Sequence, residues 1–280
     1  MAGIKGHELA KAALETAVLD AELRSYGMPL ATYLGSVRER VPAGVSVGIR
    51  PTVAELLDDV EGYLAEGYVR IKLKIEPGWD LEPVRAVRDR FGADLPLQVD
   101  ANTAYTLADA EHLRRLDEFG LLLIEEPLAE NNLYAHARLQ QRIATPVCLD
   151  ESLHNAADTA SAIAMDACRV VNVKPARVGG YLEARRVHDV AYAHGCRCGA
   201  AACWRRASAA PRTWRWRPCP AARSPGTRRL PAATSPRTSR SRCVLVDGHL
   251  PVPRSPGIGV APVPETLRRF TKDRRDLYVT

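Results

Sequence analysis

Five ionisable residues recur through the middle of this 280-residue chain at nearly constant intervals, with a sixth beside the first. Lys74, Asp100, Glu125, Asp150 and Lys174 are spaced by 26, 25, 25 and 24 residues, and Lys72 stands two positions before the first of them. Each closes a short, largely apolar run: "KLK", "LQVD", "LIEE", "CLD" and "NVK". Three carboxylates brought to one point repel each other unless a cation sits between them. A hard divalent ion with oxygen ligands, Mg²⁺ or Mn²⁺, suits such a set. No His or Cys falls at these positions, which argues against zinc. A lysine flanks the acidic trio on either side. An ammonium becomes a base only when its pKa falls, and a nearby metal ion with a second lysine pushes it that way. The combination suits removal of a proton from carbon next to a carboxylate, the ion stabilising the resulting enolate. One charged residue at a strand end is an ordinary solvated edge. Five in succession, in this order, are not.

The elements that must position these groups are legible in the pattern. Residues 7–26 carry apolar positions at helical spacing (Leu9, Ala13, Leu14, Val18, Leu19, Leu23) and stop at Gly27. A second short helix is expected over 29–40. From residue 44 the texture changes to short β-branched or Leu-rich runs, "VSVGI", "VRIKLKI", "LPLQVD", "LLLIEE", "TPVCLD" and "RVVNVK". Helices are predicted between and after them, over 52–66, 80–91, 106–119, 132–142, 155–165 and 180–194. Strand and helix in alternation, with no room for hairpins, mean parallel strands with crossover helices. Strands that are apolar on both sides belong to a buried sheet.

Six such units at one period favour a (β/α) barrel over a doubly wound sheet. "GIRPT" after the first strand also lacks the GxGxxG loop of a dinucleotide site. A spacing of one unit places the six groups on one rim, and the C-terminal rim is where barrel active sites lie. A full barrel needs eight units, so two are missing.

The seventh strand should begin where the composition becomes abnormal. From Cys196 to Cys243 there are twelve Arg, six Pro and five of the chain's seven Cys, with no Lys, Asp or Glu. The formal charge of +6 comes entirely from this block; the remaining residues hold 27 Lys and Arg against 33 Asp and Glu. A basic domain is therefore not implied. Outside the block, Cys148 and Cys168 sit in apolar runs, as small hydrophobes of a reducing compartment do. The N-terminus lacks the pattern of a signal peptide, and no run approaches the roughly 18 apolar residues of a membrane span. The expected location is cytoplasmic, with no membrane partner.

At this point the chain resembles the muconate-lactonizing subgroup of the enolase superfamily. The resemblance is closest to the o-succinylbenzoate synthase and N-acylamino acid racemase branch. It rests on "KLKIEPGWD", "VDANTAY", "LIEEPL", "CLDES" and "NVKPARVGG", from Lys72 to Gly180. The resemblance implies an enolase-type α/β barrel, here incomplete, with the remnant of an α+β capping domain. Residues 1–43 would be the end of the cap, 44–195 barrel units one to six, and 244–280 a segment returning to the cap. It makes Lys74 and Lys174 the opposed acid/base pair, with Lys72 supporting the enolate. Asp100, Glu125 and Asp150 become the ligands of Mg²⁺ or Mn²⁺, and Asn102 and Glu151 contact substrate or brace the ligands. The activity implied is dehydration to o-succinylbenzoate in menaquinone synthesis, racemisation of N-acylated amino acids, or both, on a small carboxylate substrate in a homo-oligomer. Dipeptide epimerase and muconate cycloisomerase remain open, because strand-end residues do not discriminate among them.

The chain departs from this family twice: most of the cap is absent, and residues 196–243 replace units seven and eight. The family's seventh strand ends in a Gly-Gly-Met-Leu-Glu-like motif. GC-rich synonymous codons for Cys198–Arg206, regrouped one base out, encode Trp-Cys-Gly-Gly-Met-Leu-Glu-Thr, so the block reads as a shifted frame. On that reading the chain as written is inactive. Two rival readings of the block are weaker. A nucleic-acid-binding arm would mix Lys with its Arg, and a zinc site at Cys196, Cys198, Cys203 and Cys219 lacks paired CxxC knuckles.

Overall fold

The structure is a computed structural model that describes residues 3–198 and 245–260, with residues 264, 265, 268 and 271 beyond them. Most of the 196–243 block therefore lies outside the described residues, and with it the shifted-frame, nucleic-acid and zinc readings. The chain opens with helix α1 (Glu8–Ser25) and a single turn, α2 (Leu30–Tyr33). The second helix predicted over 29–40 is thus much shorter. Gly35 takes a φ of 76° and Ser36 N–H bonds back to Ala31 O at 2.7 Å, a six-to-one closure that ends the helix. Strand β1 (Arg40–Pro42) follows, and pairs antiparallel with β9 (His249–Pro251). The segment after the block also returns to α1 and α2, where Gly257 O accepts from Leu30 N–H at 2.8 Å. Ile258 packs there against Leu19, Leu23, Leu30 and Leu34.

Seven strands then form one parallel sheet in chain order: β2 (Gly44–Val47), β3 (Arg70–Lys74), β4 (Leu97–Asp100), β5 (Ile124–Glu125), β6 (Val147–Leu149), β7 (Val170–Val171) and β8 (Arg197–Cys198). The crossovers are α3 (Val53–Ala65), α4 (Leu81–Phe91), α5 (Ala110–Arg114, between two 3-10 turns), α6 (Leu133–Gln140), α7 (Ala156–Ala164) and α8 (Tyr181–Ala193). Among the described residues this is an incomplete (β/α) barrel. One correction concerns its extent: the sheet has a seventh strand, β8, inside the block assigned to missing units. Val170 pairs with Arg197 and Val171 with Cys198. Composition hid this strand, because backbone pairing does not require the β-branched residues by which the other strands announce themselves.

Alternation along the strands separates two layers. Ile71, Leu73, Leu97, Val99, Ile124, Val147, Leu149 and Val171 belong to the main core with the helices. The intervening positions face the barrel interior, where Leu123, Cys148 and Val170 form a small apolar floor. The polar residues of the interior sit above it. N-cap side chains close four of the crossover helices at their starts: Thr52 accepts from Glu55 N–H, Asp80 from Leu81 N–H, Asn132 from Ala135 N–H and Asn155 from Asp158 N–H. No described helix is long and apolar enough to cross a membrane.

Candidate active site

Parallel register brings the predicted residues together. Lys74 pairs with Asp100 and Asp100 with Glu125, so the three ends are level. Cys148 is the register partner of Glu125 and Val170 that of Cys148. Asp150, two residues beyond Cys148, and Asn172 and Lys174, beyond Val170, continue the same inward face. Asp100, Glu125 and Asp150 are all buried. All six predicted ionisable residues are on this rim.

Their contacts form one chain. Lys72 Nζ lies 2.8 Å from Asp100 Oδ2 and 2.9 Å from Glu125 Oε2. Lys74 Nζ is 2.6 Å from Asp100 Oδ2 and also donates to Asn102 Oδ1. Lys174 pairs with Asp150. Asn102 Nδ2 donates to Glu151 Oε1 at 3.3 Å, so both residues assigned to contact or bracing roles are at the site.

Four contributors escaped the sequence reading. Asn172 Nδ2 donates to Glu125 Oε1 at 2.8 Å; its place two residues before Lys174 was the available signal. Arg177 Nε stands 3.2 Å from Asp150 Oδ1, and its Nη2 3.6 Å from Glu151 Oε1. Glu126 and Ser152 are buried directly behind the rim and bonded to each other.

Burial and charge compete at each group. Burial pushes the Glu125 carboxyl above the ordinary carboxylate range; Asp100 and Asp150 add to this, against Lys72 and Lys174. At Asp100 burial also raises the pKa, but Lys72 and Lys74 outweigh it and hold the carboxyl low. Burial would lower Lys72, yet Glu125 and Asp100 overcome it and keep this side chain an ammonium. Burial pushes the Glu126 carboxyl up to about 7.

As the side chains stand, no three His, Cys, Asp or Glu among the described residues are gathered to hold a metal ion. Each of the three carboxylates instead carries a lysine ammonium. The donor set nevertheless fits a hard divalent cation. It offers oxygen only, it is buried, and among the described residues Asp150 Oδ1 is buried without a hydrogen-bond partner. The nearby Arg177 Nε is likewise without one, because the two are misaligned despite their 3.2 Å separation. A buried carboxylate oxygen in this condition has a position open for a ligand bond.

Comparison with known proteins agrees with the barrel fold. A family model described as "Enolase C-terminal domain-like" matches residues 55–266. An N-succinylamino acid racemase of Amycolatopsis sp. is 56% identical over 276 residues, 97% of this chain and 74% of that protein. An o-succinylbenzoate synthase of Geobacillus kaustophilus is 50% identical over 194 residues, 69% of this chain. The chain spans only about half of that relative, 52% of its length. The crystal structure of L-talarate dehydratase from Polaromonas sp. JS666, complexed with Mg and L-glucarate, superposes with a TM-score of 0.77. Identity is 25%, over 95% of this chain and 73% of that one.

Proposed function

Because this chain belongs to the enolase superfamily, we propose that its rim abstracts a proton from the carbon next to a substrate carboxylate. The substrates we infer are N-succinylamino acids, for racemisation, and the precursor of o-succinylbenzoate, for dehydration in menaquinone synthesis. The observation that carries the reading is the placement of two lysines on opposite sides of three buried carboxylates. Lys74 ends β3 and Lys174 follows β7, four strands away in the sheet.

Asp100, Glu125 and Asp150 would hold Mg²⁺ or Mn²⁺. When bound, such an ion supplies positive charge where the substrate carboxylate gains negative charge. The protein's own part is positional. Lys74 and Lys174 hold and move the proton at the α-carbon, one on each face of the substrate. Removal on one face and return on the other inverts the centre, whereas removal and protonation of a leaving hydroxyl on one face is a syn elimination. Lys72, an ammonium fixed between Asp100 and Glu125, adds a standing positive charge beside the developing enolate. Asn172 and Arg177 orient Glu125 and Asp150.

The experiment is α-proton exchange of an N-succinylamino acid by the frame-restored chain in D₂O, followed by NMR, together with absorbance of the dehydration product. Turnover that stops with EDTA and returns with Mg²⁺ or Mn²⁺ is expected; exchange indifferent to EDTA would overturn the metal assignment. We infer a cytoplasmic enzyme. We also infer that residues 196–243 are read in a shifted frame, so that the restored chain turns over and the chain as written does not. Independent sequencing of the encoding DNA decides this: an undisturbed frame through the block refutes it.

A further inference from the structure

Glu126 is fully buried, and among the described residues no lysine or arginine pairs with it. Among the described residues the basic side chain within 4 Å of it is His136, whose Nε2 is 3.9 Å from Glu126 Oε1. That nitrogen accepts from Leu128 N–H at 3.3 Å, while Nδ1 donates to Asn132 O at 3.0 Å. His136 is therefore the neutral tautomer, as its burial also favours. Glu126 is held instead by three donors from one short turn: Asp150 N–H at 2.7 Å, Ser152 N–H at 3.3 Å and the Ser152 hydroxyl. Burying a carboxylate without a countercharge is costly unless hydrogen bonds replace water. Here all the replacements come from the turn that carries Asp150. Glu126 itself sits at a φ of 37°, an uncommon value for a side-chain-bearing residue, immediately after Glu125. The strand ends of β5 and β6, each bearing one carboxylate of the trio, are thus clasped through a single acceptor.

We propose that Glu126 is a positioning residue that fixes the 150–152 turn and so aims the Asp150 carboxylate at the cation. The proposal rests on the reading of Asp100, Glu125 and Asp150 as an ion site. It makes the role geometric rather than electrostatic, which separates two substitutions. In Glu126→Gln the amide oxygen still accepts from the two backbone N–H groups, and the Ser152 hydroxyl turns to accept from the amide nitrogen. In Glu126→Leu both N–H groups lose their acceptor.

Two readouts on the whole chain test this without turnover. The first is hydrogen exchange at the Asp150 amide, expected to stay protected in the wild type and in Glu126→Gln and to lose protection in Glu126→Leu. The second is titration with Mn²⁺ alone, followed by its electron paramagnetic resonance signal. Glu126→Leu is expected to bind about 10–100-fold more weakly, as removal of an outer partner does, and Glu126→Gln to keep wild-type affinity. Should Glu126→Leu fail to fold, Ser152→Ala removes one donor and should give a smaller loss of the same kind. Wild-type Mn²⁺ affinity in Glu126→Leu or in folded Ser152→Ala, or equal losses in Leu and Gln, overturns the proposal. A frame-restored chain that shows the expected pattern yet exchanges no α-proton upholds it and sinks the proton-abstraction reading alone.

Discussion

Lys174→Ala and Lys74→Ala, made in the frame-restored chain, are each expected to lower racemisation by about 10²–10⁴-fold, the usual contribution of a general acid or base. The sharper expectation is stereochemical. With one lysine removed, the other still takes the α-proton from its own face and returns a deuteron there. Each variant should then exchange the α-proton of one enantiomer while failing on its mirror image, and the two variants should prefer opposite enantiomers. Racemisation disappears in both because the return from the far face is missing. Lys174 pairs with Asp150 and Lys74 with Asp100, so each substitution also strips a partner from a buried carboxylate. Folding and Mn²⁺ affinity need to be measured alongside. NMR in D₂O on the separate enantiomers decides the matter: equal loss on both enantiomers in both variants removes the two-base assignment.

The site was legible in the sequence because one β/α unit occupies about 25 residues, so charged residues one unit apart recur on the same inward face at the strand ends. The register of Lys74, Asp100 and Glu125 is the direct consequence. Arg177 was not legible. It reaches Asp150 only because the chain turns after Lys174, where Arg177 N–H bonds to Lys174 O at 2.9 Å and Val178 N–H to the same oxygen at 3.2 Å. Glu126 was masked by its neighbour: in "IEEP" the strand alternation assigns the first Glu inward and leaves the second without a role. That role appears only when the 150–152 turn is placed against it. The fold was legible to the same degree. The alternation of short β-branched or Leu-rich runs with helical segments gave α3 to α8 and β2 to β7, whereas β8, made of Arg197 and Cys198, has no apolar pattern to read. Its pairing is set by the neighbouring strand.

Gly180→Ala is expected to destabilise the chain by about 2–3 kcal/mol, through a conformation that is essentially restricted to glycine. Gly180 precedes α8 with φ 146° and ψ −179°. A β-carbon there would also run into the carboxyl of Glu15, from α1. That carboxylate reaches across to accept from Tyr181 N–H and, at 3.3 Å, from Leu182 N–H, so α1 caps α8. The bare backbone at Gly180 is what allows the approach, and it joins the N-terminal helices to the loop that carries Lys174 and Arg177. A thermal scan should show Tm lower by about 5–10 °C, given the usual 2–4 °C per kcal/mol at this size. Glu15→Ala alone should cost about 1 kcal/mol, the worth of a lost helix cap. The double variant separates the two causes. Without the Glu15 carboxyl the new methyl group has room, so Gly180→Ala should cost less in that background, and the sum should fall short of additivity. The remaining cost is the backbone conformation alone. A Gly180→Ala chain that melts with the wild type would show that neither the φ of this residue nor the approach of Glu15 constrains it.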